Sequence, residues 1–514
     1  MSRPPGGEAA REAAAPVQGE SLPAGGGFER LKRLIGILTG PALFVLVLLW
    51  PMDGLSREAH LLAAVFAWAI AYWVTEAVPV AVTAILASVL SIVAGVAPAG
   101  RVLAAYGDPI IFLFIGSFIL AEAMRGSSLD RRVAFALLRY RWTTRSPSRL
   151  LATVGAVTWS ISLWVSNTAT TAMMLPVGTG ILGALGGIGD PGRSRFPIGF
   201  LLMLTWSSSV AVGVPIGSPP NLIAIGMIRN LTDRRLTFFD WVALTMPLAV
   251  LMLIVCWLIL RHRYVEERGV GGDLHRYVAA ERQRLGGWSR REINVAGVFV
   301  LVCLLWMLPG AVALVSSPDA PLPRFFEAYL PEAVVALIGA ILLFLLPTDF
   351  GRGQFTITWR EAARIDWGTI LLFGGGLSLG RLMFDTGLAE VIGRALVRMS
   401  GAESVWALTA VAIVAAVILS ETSSNTASAS MVIPVMIAIA QSAGVSPIPP
   451  ALGAALGASF GFMLPVSTPP NAIIYSSGLV PLREMIRSGI WLDVSGAVLI
   501  WLGLRVVCPL FGAV

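Results

Sequence analysis

The chain has 514 residues, of which 56% are hydrophobic and 13% charged, with a formal net charge of +7. Soluble globular proteins carry nearer a quarter of charged residues, so a soluble fold is excluded. The positive excess does not mark a nucleic-acid binder either, because the arginines sit in short stretches between apolar runs rather than along one face.

Residues 1–27 are rich in Pro, Gly, Ala and Glu and have no apolar core, which predicts a disordered cytoplasmic tail rather than a signal peptide. FERLKRLIG then reads as an amphipathic lead-in to the first span. Crossing roughly 30 Å of hydrocarbon takes about 20 helical residues. Apolar runs suited to this lie at 34–50, 58–75, 78–96 and 108–124, before a loop carrying Arg125, Arg131, Arg132, Arg139, Arg141, Arg145 and Arg149. With the N-terminus inside, four crossings return that loop to the cytoplasm, as the positive-inside rule requires.

Residues 150–190 hold two apolar arms joined at a polar apex and predict a re-entrant hairpin, which enters and leaves on one side. An interrupted span at 197–230 and a span at 241–260 lead to a second basic stretch, 261–291. Only a re-entrant first hairpin brings that stretch back inside. Spans at 292–313, 331–347 and 367–384 follow, then a second hairpin at 403–440, a second interrupted span at 450–484 and a last span at 488–508. The expected fold is all-α and polytopic, with about 11 transmembrane helices. The expected location is a bacterial inner membrane, with the C-terminus outside. Arg229, Arg234 and Arg235 run against this topology. Cys256, Cys303 and Cys508 lie singly in apolar segments, with no disulfide or zinc spacing.

Two halves, 28–260 and 292–514, repeat one another around the 261–291 loop. SNTATTAMMLPV (Ser166–Val177) returns as SNTASASMVIPV (Ser424–Val435), GSPPN (Gly217–Asn221) as STPPN (Ser467–Asn471), and the segment from Asp108 loosely as the segment from Asp366. Arginines crowd the approach to the first hairpin and not the second, so the halves are expected to be inverted. Inverted repeats with broken helices are a transporter architecture, with substrate held near the midplane.

Tandem prolines remove two backbone donors and break a helix, freeing carbonyls before the break and presenting an N-terminus after it. Freed carbonyls with Ser and Asn oxygens suit a sodium ion, and helix N-termini with Asn and Thr donors suit an anion. No arginine occurs in the four motifs.

Other features weigh less. GASFG (Gly457–Gly461) matches a GxSxG nucleophile pattern, but His60, His262 and His275 fall at span ends or in loops, so no base reaches Ser459. GIGD (Gly187–Asp190) resembles an intramembrane aspartyl motif, yet it sits in a Gly- and Arg-rich loop without a second membrane aspartate. An enzyme is therefore not expected, and a channel fits neutral paired hairpins less well than a closed site does. Glu421, beside the second SNT, reads either as a functional ionisable group or as a hydrogen-bonded support for the hairpin.

The SNT and PPN motifs, with WVTEAVPVAVTAIL at Trp73–Leu86, resemble the divalent anion:sodium symporter family of dicarboxylate, citrate and sulfate transporters, over almost all the chain beyond the tail. The resemblance implies a homodimer in lipid, with a scaffold domain and a hairpin-bearing transport domain that moves as an elevator. It places one co-transported sodium at Ser162, Ser166, Asn167 and Gly217, and another at Ser420, Ser423, Asn425 and Ser467. Substrate would meet Asn167, Thr168 and Ser218 from one half, and Ser424, Asn425, Thr426, Thr468 and Pro469 from the other. The implied activity is sodium-coupled symport of a divalent anion, foremost a C4-dicarboxylate such as succinate, malate or fumarate. A dicarboxylate exchanger, or a sulfate or citrate carrier of the same fold, is the alternative.

Overall fold

The computed structural model describes residues 27–52, 54–138, 146–185, 195–232, 234–265, 274–315, 320–400 and 404–512. The expected disordered tail, the arginines at 139, 141 and 145, and the GIGD motif lie outside the described residues.

The first half runs α1 (Gly27–Leu49), α2 (Arg57–Thr75), α3 (Val80–Val93), a short α4 (Ala99–Leu103), α5 (Pro109–Ser127), α6 (Leu129–Leu138), α7 (Pro147–Ser162), α8 (Asn167–Ala184), α9 (Phe196–Ser209), α10 (Pro219–Leu231) and α11 (Phe238–Tyr264). After α12 (Leu274–Leu285) the second half runs α13 (Arg290–Val315), α14 (Pro321–Tyr329), α15 (Glu332–Leu345), a two-stranded ribbon of β1 (Pro347–Asp349) and β2 (Gln354–Phe355), and α16 (Trp359–Ala362). It continues with α17 (Trp367–Asp385), α18 (Leu388–Ser400), α19 (Val405–Thr422), α20 (Asn425–Ser442), α21 (Ile448–Ala458), α22 (Pro469–Ser476) and α23 (Leu482–Leu510). Among the described residues, eight helices are long and apolar enough to cross a membrane. Every span expected from the apolar runs coincides with a helix or a broken helix pair. The expected basic loop contains α12, which carries Arg276, Arg282 and Arg284.

Short polar residues set the helix starts. Asp108 caps α5 through Ile110 N, Asp366 caps α17 through Thr369 N, and Ser146 and Ser404 cap the first arms of the two hairpins. Each such cap is worth about 1 kcal/mol. Asp108 and Asp366 thus occupy matching places at the head of matching helices, as the repeat predicts.

Packing crosses between the halves. α5 lies on α15 and α17 on α3, while hairpin arm α8 meets α22 and hairpin arm α20 meets α10. α11 and α23, the closing helices of each half, pack on each other. Small residues allow the close approach: a Cβ at Gly116 would come within 2.6 Å of Ala336 on α15. Two of the arginines that run against the expected topology, Arg229 and Arg235, have carboxylate partners. Arg229 Nη2 lies 2.6 Å from Asp108 Oδ1, Arg381 Nη2 lies 3.0 Å from Asp108 Oδ2, and Arg235 pairs with Glu327. A neutralised arginine is a weak topology signal, so these two weigh little against the expected topology.

Candidate functional site

Each SNT hairpin turns over a few residues, 163–166 between α7 and α8 and 423–424 between α19 and α20. Ser166 caps α8 by accepting from Ala169 N at 3.3 Å. The broken helices are unwound between α9 and α10 and between α21 and α22, where GSPPN and STPPN stand. Pro219 and Pro469 each take the first helical position, where a missing N–H costs nothing.

An unwound loop buried in a membrane protein must satisfy its backbone internally. Asn221 Nδ2 does this by donating to Val212 O at 3.1 Å and Val214 O at 3.0 Å. Asn471 Nδ2 does the same for Gly461 O at 2.8 Å and Leu464 O at 3.1 Å. The indoles of Trp159 and Trp241 reach the first loop as well, donating to Val210 O and Val212 O. The asparagines of the PPN motifs are therefore loop staples, with their amide nitrogens turned away from any anion. Thr205 Oγ1 ties the halves together by donating to Asn471 Oδ1 at 2.9 Å.

The hairpin and the unwound loop of each half meet at a cluster of oxygens. In the first, Ser162 Oγ donates to Ser208 O at 3.0 Å. The Asn167 amide sits among Ser162 Oγ at 2.8 Å, Ser208 O at 3.0 Å and Gly217 O at 3.1 Å. With its nitrogen turned inward, Asn167 donates to all three; with its oxygen inward, only oxygens converge, and a cation is what stabilises such a set. In the second half Ser420 Oγ contacts Asn425 Oδ1 at 2.7 Å and Ala458 O at 2.8 Å. Ser162, Asn167 and Ser208 thus match Ser420, Asn425 and Ala458. Gly217 must be glycine here, since a Cβ would come 2.4 Å from Ala211 O.

The structure brings five of the eight expected ion ligands into the two clusters and engages others elsewhere. Ser162, Asn167, Gly217, Ser420 and Asn425 enter the two clusters. The Ser166 hydroxyl serves the α8 cap, and Ser467 Oγ donates to Glu421 Oε2 at 2.6 Å. Ser423 Oγ is buried without a partner. Of the expected substrate contacts, Thr168 is exposed, Ser424 and Asn425 half-buried, and Ser218, Thr426 and Thr468 buried. Thr468 caps α22 through Asn471 N. Ser218 Oγ lies 3.2 Å from Ser459 Oγ, a contact between the halves, so Ser459 belongs beside the site although it is no nucleophile.

Sequence reasoning missed the carbonyls of Ser208 and Ala458, because a backbone ligand leaves no mark in residue type. It also missed Asp493 on α23, which is buried and faces Glu421. An aspartate in the middle of the last apolar run was the available signal. Among the described residues no group of three or more His, Cys, Asp or Glu forms a metal cluster. A cation at the clusters would be held by neutral oxygens.

Two hairpins docked on two broken helices, joined by paired oxygen clusters inside a helical membrane body, define a secondary transporter rather than an enzyme. The family profile described as the sodium:sulfate symporter transmembrane region matches residues 31–511, and the chain belongs to that family. It is 31% identical over 490 residues to the sodium-dependent dicarboxylate transporter SdcS of Staphylococcus saprophyticus, covering 93% of this chain and 92% of that one. SdcS of Staphylococcus aureus strain NCTC 8325 is 30% identical over 491 residues, with the same coverage. The crystal structure of the Alcanivorax borkumensis YdaH transporter, described as having an unusual topology, is similar in fold, with a TM-score of 0.55 at 14% identity, covering 93% of this chain and 97% of that one.

Proposed function

We propose that the protein is a sodium-coupled symporter of C4-dicarboxylates such as succinate, malate or fumarate, working as a homodimer by an elevator motion. The observation that supports this most is the pair of matched clusters, Ser162–Asn167–Ser208 and Ser420–Asn425–Ala458, each joining an SNT hairpin to a helix break.

Sodium enters each cluster with the Asn167 or Asn425 oxygen turned inward. The dianion then lies between the halves, against Asn167, Thr168 and Ser218 on one side and Ser424, Asn425, Thr426, Thr468 and Pro469 on the other. The N-termini of α8, α10, α20 and α22 contribute about half a positive charge each. The body that carries the hairpins, broken helices, α11 and α23 moves across the membrane between α5 and α17 of the scaffold. More than two sodium ions per dianion make the cycle electrogenic.

Uptake of labelled succinate into proteoliposomes tests this, with an inward sodium gradient and then with choline at equal ionic strength. Uptake in sodium alone, competed by malate and fumarate but not by citrate or sulfate, is the expected result. Equal uptake in choline overturns sodium coupling, and competition by sulfate alone overturns the substrate class.

A further inference from the structure

Asp108, buried at the head of α5, does more than cap that helix. It accepts from Ile110 N at 3.0 Å, from Arg229 Nη2 at 2.6 Å and from Arg381 Nη2 at 3.0 Å. Arg381 Nη2 also donates to Asn230 Oδ1, and Asn230 Nδ2 donates to Gly226 O at 2.7 Å. Three elements meet here: α5 and α17, which stand in the scaffold of the reading above, and the last turn of α10, which belongs to the moving body. The seam continues past the end of α10. Arg235 pairs with Glu327 of α14, Phe238 N donates to Glu332 Oε1 of α15 at 3.3 Å, and the Phe238 ring stacks on Trp306 of α13 with centroids 4.7 Å apart.

The second half keeps the aspartate and loses its partners. Asp366 caps α17 as Asp108 caps α5, but it accepts from Thr369 N at 3.1 Å and Thr369 Oγ1 at 2.5 Å, and among the described residues no arginine pairs with it. Ala123 stands as far from Asp108 as Arg381 stands from Asp366. Counted from Asn221 and Asn471 of the PPN motifs, Leu479 and Val480 take the places of Arg229 and Asn230. All three polar groups that converge on one seam in the first half are therefore apolar at the matching places of the repeat. In an inverted repeat the two halves exchange roles between the end positions, so a device built into one half makes those positions unequal in energy.

We propose that Asp108, Arg229, Arg381 and Asn230 form a clasp between scaffold and moving body, which holds the body in the position seen here, opens in each cycle and tips the resting equilibrium toward this position. This rests on the elevator reading above. The clasp opens without stranding a buried charge, which is the costly way to break an ion pair. When α10 departs, Arg381 stays with Asp108 inside the scaffold, and the Arg229 guanidinium, already partly exposed, meets water.

Disulfide trapping of the purified full-length protein in proteoliposomes, without sodium or substrate and with the three native cysteines replaced, tests this. A Cβ at Gly380 on α17 would lie 3.4 Å from Pro434 Cβ on α20, and a Cβ at Gly376 would lie 3.1 Å from Ser430 Cβ, so Gly380→Cys with Pro434→Cys, and Gly376→Cys with Ser430→Cys, report scaffold against body. With oxidation slow against body motion, the initial rate of cross-linking follows the occupancy of the position seen here. Arg229→Gln, which leaves the Asp108–Arg381 pair intact, is expected to lower that rate at least threefold in both cysteine pairs, and Arg229→Lys to restore most of it. An unchanged rate in folded Arg229→Gln overturns the proposal, as does a fall confined to the pair that includes Gly380→Cys, which marks a local change beside Arg381. If one cysteine pair fails to fold, the other decides; if Arg229→Gln fails to fold, Asn230→Ala, which cuts the other bond from α10, is expected to lower the rate, and a native-like rate overturns the proposal. Undiminished succinate uptake by the oxidised, cross-linked protein with Arg229 in place overturns the elevator reading itself, and this inference with it.

Discussion

Removing the Asn167 side chain is the most direct perturbation of the first oxygen cluster. Its amide lies within 3.1 Å of Ser162 Oγ, Ser208 O and Gly217 O, so Asn167→Ala deletes a side chain that reaches the hairpin and both ends of the unwound loop. A hydrogen bond or ligand contact to a charged group is worth about 1.5–3 kcal/mol. Lost from a sodium ion, that amounts to roughly a ten- to hundredfold weaker site. Ser162 still reaches Ser208 O at 3.0 Å, so the hairpin stays docked and the fold survives. The assay is sodium-dependent succinate uptake in proteoliposomes, with half-saturating sodium measured at fixed succinate and the reverse. The expected result is near-complete loss of uptake at sodium concentrations that saturate the native protein. Because Asn167 is also assigned to the anion, sodium in excess is not expected to restore native succinate affinity. Unchanged half-saturation for both ions in a folded variant would remove Asn167 from the site and refute the reading of the cluster as a cation cradle.

Three further outcomes are expected. Placed singly in a background without Cys256, Cys303 and Cys508, cysteines at Ser146 and Ser404 are expected to react only from the cytoplasm and only from outside, respectively; the opposite pattern, or labelling of both from one side, overturns the inverted topology. Asp108→Asn leaves Arg229 and Arg381 facing each other without their shared anion. Breaking a buried pair costs about 3–5 kcal/mol, and because the two guanidinium groups are 26% and 31% exposed the loss is expected at the low end, read as a lower thermal midpoint in detergent. Asp130 lies on α6, outside the spans, where burial pushes its carboxyl up to about 6 against the opposing pull of the Arg131 amide and guanidinium. A folded value above the unfolded one near 3.9 makes the folded state take up the proton, so the contribution is full below about pH 4 and lost as pH rises through about 6. Asp130→Asn is therefore expected to flatten the dependence of the thermal midpoint on pH in that window and to raise the midpoint at neutral pH; a native-like slope would refute the assignment.

What was legible in the sequence was what periodicity and residue type encode. Apolar run length located the helices, and Asp108 and Asp366, heading similar segments, cap matching helices. The SNT and PPN strings located the two hairpins and the two breaks because prolines and short polar residues in apolar surroundings have few other uses. What stayed hidden was what the backbone does and where side chains turn. Ser208 and Ala458 contribute carbonyls, which any residue supplies. The role of Asn221 and Asn471 was not legible either: they hold their own loops, because an unwound segment in a membrane protein must satisfy its carbonyls internally. The pairing of the Ser467 hydroxyl with Glu421 was equally hidden. The partners of Arg229 and Arg235 could not be read from the sequence either, because Asp108 and Glu327 stand more than 90 positions away in the chain.

The same neutrality that hid the site explains its coupling. A dianion leaving water gives up several kcal/mol or more of solvation, and no arginine or lysine stands in the SNT and PPN motifs to replace it. Helix ends of about half a charge each, with hydroxyls and amides, offset only part of that cost. A permanent cationic side chain would hold the dianion equally well at both faces of the membrane and with no sodium present. Oxygen clusters that accept sodium, as proposed above, would make the positive charge conditional instead: anion affinity would follow sodium, and by reciprocal linkage sodium affinity would follow the anion. In the Asn167 cluster that condition turns on the amide. With its nitrogen inward the amide donates to Ser162 Oγ, Ser208 O and Gly217 O, and with its oxygen inward it would offer a cation a set of oxygens.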